Sequence, residues 1–174
     1  MKRVTGIFLL LLISSAGIAQ TPASLPCSSN PVYRQFDFWL GEWEAFSING
    51  KKAGDSRIER LLDSCVILEN WTSMQGGFSG KSYNTYNTAT GKWQQFWVDN
   101  KGGSTDYSDG HYEAGKMIFL TQPLEKKDGK KLLQRLTFYQ LQGDKVRQHG
   151  EHSADGGATW ITDYDLEYRR KKSN

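Results

Sequence analysis

Residues 31–44 read PVYRQFDFWLGEWE, and a change of periodicity inside this stretch decides the fold. Asn30 stands in front of it as an N-cap, and Pro31 takes the first helical position, where its missing N–H is no loss. Val32, Phe36 and Trp39 or Leu40 recur at helical spacing, and Gly41 stops the run. The pattern predicts one short helix and almost no other in the chain. After Gly41 the period changes to two, with turn signals at short intervals. Strands are expected over 42–48, 55–62, 65–73, 80–87, 92–99, 105–113, 116–122, 131–140, 144–152 and 159–168. Their connections carry Asn49-Gly50, Gly76-Gly77, Thr90-Gly91, Lys101-Gly102-Gly103, Gly115, Asp128-Gly129 and Gly143-Asp144, residues that tolerate positive φ. About ten antiparallel strands in one domain must stack as a sandwich or close on themselves.

The junction at Gly41 favours closure. A short helix running into Gly41-Glu42-Trp43 is a Gly-x-Trp arrangement placed directly before a meander of strands. It resembles the lipocalin and fatty-acid-binding (calycin) barrels, where the tryptophan packs across the closed end. The stretches FDFWLGEWE (36–44), CVILENW (65–71), GKWQQFWVD (91–99) and VRQHGEHSADGGATW (146–160) extend the likeness. Together they look like a group of exported bacterial proteins of unknown function with calycin-like barrels, the DUF1579-like group. The resemblance spans residues 36–168. It implies an all-β, antiparallel up-and-down barrel with a short N-terminal helix, and export. It brings no activity with it.

Working outward, the chain of 174 residues opens MKRVTGIFLLLLISSAGIAQ. Lys2 and Arg3 form a positive start, Ile7 to Ile13 an apolar core, and Gly17-Ile18-Ala19 a small-residue cleavage site. That is the pattern of a secretory signal peptide over 1–19, with an uncleaved anchor as the alternative. No later apolar run approaches the length of a transmembrane helix. Residues 20–30 read as an arm, 31–170 as the barrel and 171–174 as a basic tail. Ser-Leu-Pro before Cys27 makes a poor lipidation site, so a periplasmic or secreted protein is expected. Removing Lys2 and Arg3 takes the formal net charge from +3 to +1. The only dense basic run left is Arg169-Arg170-Lys171-Lys172, which reads as a solvated tail, so nucleic-acid binding is not indicated. In an oxidising compartment Cys27 and Cys65 are expected to pair; two free thiols are the alternative, and C-x-x-C spacing is absent.

Barrel strands send alternate side chains into the lumen. In the last strand Trp160, Thr162, Tyr164, Leu166 and Tyr168 share the face expected to point inward, opposite Ile161, Asp163, Asp165 and Glu167. Other strands carry apolar groups on both faces. One consistent choice places Glu69, Trp71, Gln95, Trp97, Arg135, Tyr139, Arg147, Glu151 and Trp160 around a shared cavity. That would be an aromatic box with two arginines and two carboxylates, suited to a partly polar or anionic small molecule held by a forked guanidinium. Buried charges are costly unless paired, so the opposite choice stands beside it: arginines and carboxylates pair outside while the apolar alternates fill the core.

Other chemistries find little support. His149 and His152 are three apart on a strand and point to opposite faces, which leaves no two-histidine metal face. His149 with Glu151 supplies two ligands, too few for a metal site, and haem has no more than one histidine to rest on. No cofactor and no metal are expected. No Gly-x-Ser-x-Gly elbow is present, so no catalytic residue is assigned. An enzyme using Glu69 or Glu151 as acid/base, and an interaction protein with a filled barrel, remain as alternatives to a binding module. Oligomeric state is not readable. SADGGATW (153–160) has the spacing of a sialidase Asp-box, but it occurs once in a chain too short for a propeller. It reads as a tight hairpin in which Asp155 accepts backbone N–H bonds, Gly156 and Gly157 take positive φ, and Trp160 packs inward.

Overall fold

The computed structural model describes residues 26–125, 129 and 131–172. The expected signal peptide, the first part of the arm and the last two residues of the tail lie outside the described residues. Eleven strands follow in order: β1 (Gly41–Ser47), β2 (Lys52–Leu61), β3 (Val66–Ser73), β4 (Ser79–Asn87), β5 (Lys92–Asp99) and β6 (Ser104–Glu113). Then come β7 (Lys116–Leu120), the two-residue β8 (Leu124–Glu125), β9 (Lys131–Leu141), β10 (Lys145–Ser153) and β11 (Ile161–Arg170). All pairings are antiparallel between chain neighbours, except that β7 pairs directly with β9 and β11 pairs back onto β1. β9 also pairs with β10, so ten strands close into an up-and-down barrel. The unforeseen β8 lies beside β9 as an extra strand.

The predicted helix is present as two 3₁₀ turns, Pro31–Arg34 and Asp37–Trp39, instead of one α-helix. Asn30 caps the first as its sequence position suggests, its side chain accepting the Val32 N–H. A tighter winding eclipses residues three apart. Phe36 and Trp39 are so spaced; both are fully buried, with ring centroids 5.0 Å apart. They plug one end of the barrel against Trp93, Phe119 and Phe138. Each buried side chain of this size contributes on the order of 2 kcal/mol relative to exposure, so the five rings of this plug are a major part of the core's stabilisation.

Gly41 and Trp43 seal the same end. Trp43 is buried; its Nε1 donates to the Trp39 carbonyl at 2.8 Å, and the Arg170 guanidinium lies 4.0 Å above its ring. Arg170 also donates to the Leu40 carbonyl at 2.6 Å and forks onto Asp144 with two bonds of 2.9 Å. A Cβ at Gly41, whose φ is +122°, would fall 1.8 Å from that guanidinium. Glycine is therefore required where the last strand's arginine crosses the first strand. Cys27 and Cys65 form a disulfide that ties the arm to the β2–β3 turn at this closed end. Among the described residues no helix is long and apolar enough to cross a membrane.

The open end carries the other set of turns, including SADGGATW. There Asp155 accepts the Thr159 N–H at 2.9 Å and the Ser153 hydroxyl at 2.7 Å, while Gly156 and Gly157 have φ of 75° and 95°. These bonds hold the Asp155 carboxyl well below the usual range, the Thr159 hydroxyl contributing most. The motif is a hairpin turn.

Candidate functional site

The half of the barrel left unfilled by the plug contains a cavity of about 320 Å³. Period two brings Glu69 and Trp71 of β3 and Gln95 and Trp97 of β5 to its wall, as the sequence reading placed them. β11 adds Tyr164, Leu166 and Tyr168, which the alternation of that strand also pointed inward. Phe78, Thr105, Tyr107, Gln134, Leu136 and Gln148 complete the lining. These six were not among the candidates. Leu136 and Gln148 share their faces with the buried Phe138 and Val146, and that apolar pairing was the available signal.

The remaining five candidates do not reach the lumen. Arg135, Tyr139, Arg147 and Glu151 stand on the outer face of β9 and β10, where Arg147 is opposite Tyr139 and Glu151 opposite Arg135. Arg135 forks onto Glu151 at 2.8 and 3.0 Å, and Arg147 onto Asp165 at 2.8 and 2.7 Å. Bonds from Arg135 lower the Glu151 carboxyl below its ordinary range. Trp160 lies under Arg135, 4.0 Å from the guanidinium, and donates to the Gly157 carbonyl. For Trp160 the cause is a bulge. Gly150 pairs with Tyr164 but Glu151 pairs with Thr162, so Asp163 is extra and every residue before it changes face. Trp160 and Thr162 thus leave the lumen, and Thr162 meets His149 outside at 3.0 Å. The arginine-lined lumen expected from the sequence does not form; outward pairing, the other option, describes β9 and β10.

The cavity owes its space to glycines. A Cβ at Gly54 would meet the Trp71 ring at 2.6 Å, one at Gly80 the Trp97 ring at 2.3 Å, and one at Gly150 the Tyr164 ring at 2.4 Å. Each large ring therefore lies against bare backbone of a neighbouring strand, where any other residue would push it inward.

Glu69, 3% exposed, is the polar centre of this lumen. Its Oε1 accepts from the Ser56 hydroxyl at 3.0 Å and its Oε2 from the Ser82 hydroxyl at 3.0 Å. The Tyr168 hydroxyl lies 3.4 Å from Oε1 but makes its shorter bond, 2.6 Å, to the side-chain amide oxygen Oε1 of Gln148. Behind Ser82, Asn84 donates to it at 3.1 Å and Gln95 donates to Asn84 at 2.7 Å. Burial pushes the Glu69 carboxyl up to about 7, because the hydroxyl bonds only partly offset the loss of water. Burial also raises the Tyr107 phenol to about 12. At the rim His152 Nδ1 sits 2.6 Å from Asp163 Oδ1. Among the described residues no group of three or more His, Cys, Asp or Glu could hold a metal ion.

Fold and cavity together define a closed ten-stranded barrel whose lumen holds aromatic rings, amides and a single carboxyl group. Comparison with protein-family models gives no match. Comparison with curated proteins gives none either, so function has to be argued from the site.

Proposed function

We propose that this is an exported, calycin-like barrel that binds a small, partly polar molecule in its lumen. The observation that carries the reading is the set of three glycine–ring pairs at Gly54, Gly80 and Gly150. Glycine within a strand is unfavourable, and three that hold rings off the axis are hard to explain by packing alone. The volume is at the small end of the range for ligand sites, which suits a molecule of one or two rings. The disulfide is in keeping with an oxidising compartment. Binding is tested with a panel of small aromatic fragments observed by NMR, against the parent and a Thr105→Trp variant that fills the cavity from β6. Binding to the parent and its loss in the folded variant is the expected result. Equal binding to both, or none to the parent, sinks the reading.

A second reading has one observation in its favour. A buried glutamate held near pH 7 is poised for general acid/base catalysis. Glu151, the other carboxylate considered, is outside and paired with Arg135. Among the described residues no lysine, arginine or histidine lines the lumen to stabilise a developing anion, so binding is the better supported function.

A further inference from the structure

The charge balance of the lumen points to a ligand class. Among the described residues, Glu69 is the only lining residue that carries a formal charge once the pH passes about 7. Its partners, Ser56, Ser82 and Tyr168, are neutral hydroxyls. Oε1 accepts from Ser56 at 3.0 Å and from Tyr168 at 3.4 Å, while Oε2 accepts one 3.0 Å bond from Ser82 and keeps a lone pair for another donor. The nearest arginines are spent outside, on Glu151 and Asp165. A second carboxylate, Asp163, lies near enough to the cavity to act on Tyr107 by its charge, after burial the other cause of that phenol's raised value, and it pairs with His152 Nδ1 at 2.6 Å. An ionised Glu69 is therefore a buried charge without a counter-charge, and such a charge is stabilised strongly by a cation brought into the same low-dielectric space. An anion would meet the opposite effect, with no guanidinium or ammonium among the described lining residues to offset it.

The walls favour the same ligand. Trp71 and Trp97 are held flat to the barrel by Gly54 and Gly80; Trp71 shares β3 with Glu69, and Trp97 is on β5, across β4 and its Ser82. Indoles attract a cation through the negative potential of their faces, most strongly where water is excluded. We propose that the lumen recognises an organic monocation: a quaternary or protonated amine on a small aromatic or apolar body, its positive end at Glu69 and its body along Trp71 and Trp97. This inference rests on the lumen being the binding site.

The test uses three probes of one shape: phenyltrimethylammonium, its neutral isostere tert-butylbenzene, and the anion benzenesulfonate, titrated by calorimetry at pH 8. The cation is expected to bind about tenfold tighter than tert-butylbenzene, and benzenesulfonate more weakly than either. Glu69→Gln is expected to abolish the preference while leaving tert-butylbenzene affinity within twofold, which also reports that the variant is folded. The unmodified protein provides a second arm. Cation affinity is expected to fall at least about tenfold between pH 8 and pH 5, as Glu69 takes up a proton. Of the other groups facing the lumen, Tyr107 and Tyr168 are held neutral by burial, Tyr164 is a phenol at the mouth, and the His152–Asp163 pair sits at the rim. A His152→Gln variant that keeps the pH dependence assigns it to Glu69. If tert-butylbenzene binds as tightly as the cation, or benzenesulfonate binds best, the cation inference is overturned while lumenal binding stands. If none of the three binds, both fall.

Discussion

Glu69 shows how one residue can set both the chemistry and the pH response of a barrel. Folded, it holds its proton up to about pH 7, whereas an exposed glutamate releases it near 4.5. Between these values the native state binds more protons than the unfolded chain, so stability falls as pH rises. The fall is roughly 3 kcal/mol, complete above pH 7 and absent below 4.5. Glu69→Gln removes the ionisable group and keeps the shape. Urea unfolding at pH 5 and pH 8 should show the parent losing stability across the interval and the variant nearly flat. A parent whose stability rose with pH would place Glu69 ionised in the folded state and remove the argument. Glu69 was legible as a candidate because period two set it beside Trp71. Its satisfaction by Ser56 and Ser82 was not, since serines on neighbouring strands become partners only through register.

At the level of elements, alternation located all ten barrel strands to within about three residues, because a half-buried strand announces its period. Two features escaped it. The bulge at Asp163 leaves no mark in composition, yet it moves Trp160 from the lumen to the outer face. β9 and β10 carry apolar groups on both sides, so the face of Arg135, Arg147 and Glu151 was decided by which apolar set, Leu136–Phe138–Val146, met the plug. The β2–β3 turn was placed between the expected strands 55–62 and 65–73, but its backbone conformation was not legible. Leu62, Asp63 and Ser64 have φ of 50°, 52° and 73° with no glycine among them. Each L-residue in that region costs about 1–2 kcal/mol, and the disulfide at Cys65 follows immediately. Leu62 is exposed, so Leu62→Gly relieves the backbone without emptying the core. Part of the gain is offset by the freer unfolded chain, leaving about 0.5–1 kcal/mol of added stability in denaturant unfolding. A loss instead would mean that Leu62 makes contacts the turn depends on.

On the scale of the whole molecule the barrel divides into an end that is locked and an end that is open. Aromatic packing, the Arg170 clamp on Trp43 and Leu40, and the Cys27–Cys65 bond all gather at the closed end. The cavity, its glycine-backed rings and the His152–Asp163 pair occupy the rest. Such a division predicts that the two ends respond separately to perturbation. The disulfide spans 38 residues of sequence, and removing it frees the unfolded chain by about 2–4 kcal/mol. A Cys27→Ser/Cys65→Ser variant should therefore melt at a markedly lower temperature. Yet Glu69, Trp71 and Trp97 stand on strands held by their own ladders, and neither cysteine is among the residues that line the cavity. Probe affinity for the lumen, measured below the variant's melting range, should stay within about twofold of the parent. If affinity and melting temperature fell together, the plug would have to be setting the shape of the lumen through the barrel wall. The closed end would then be part of the binding machinery.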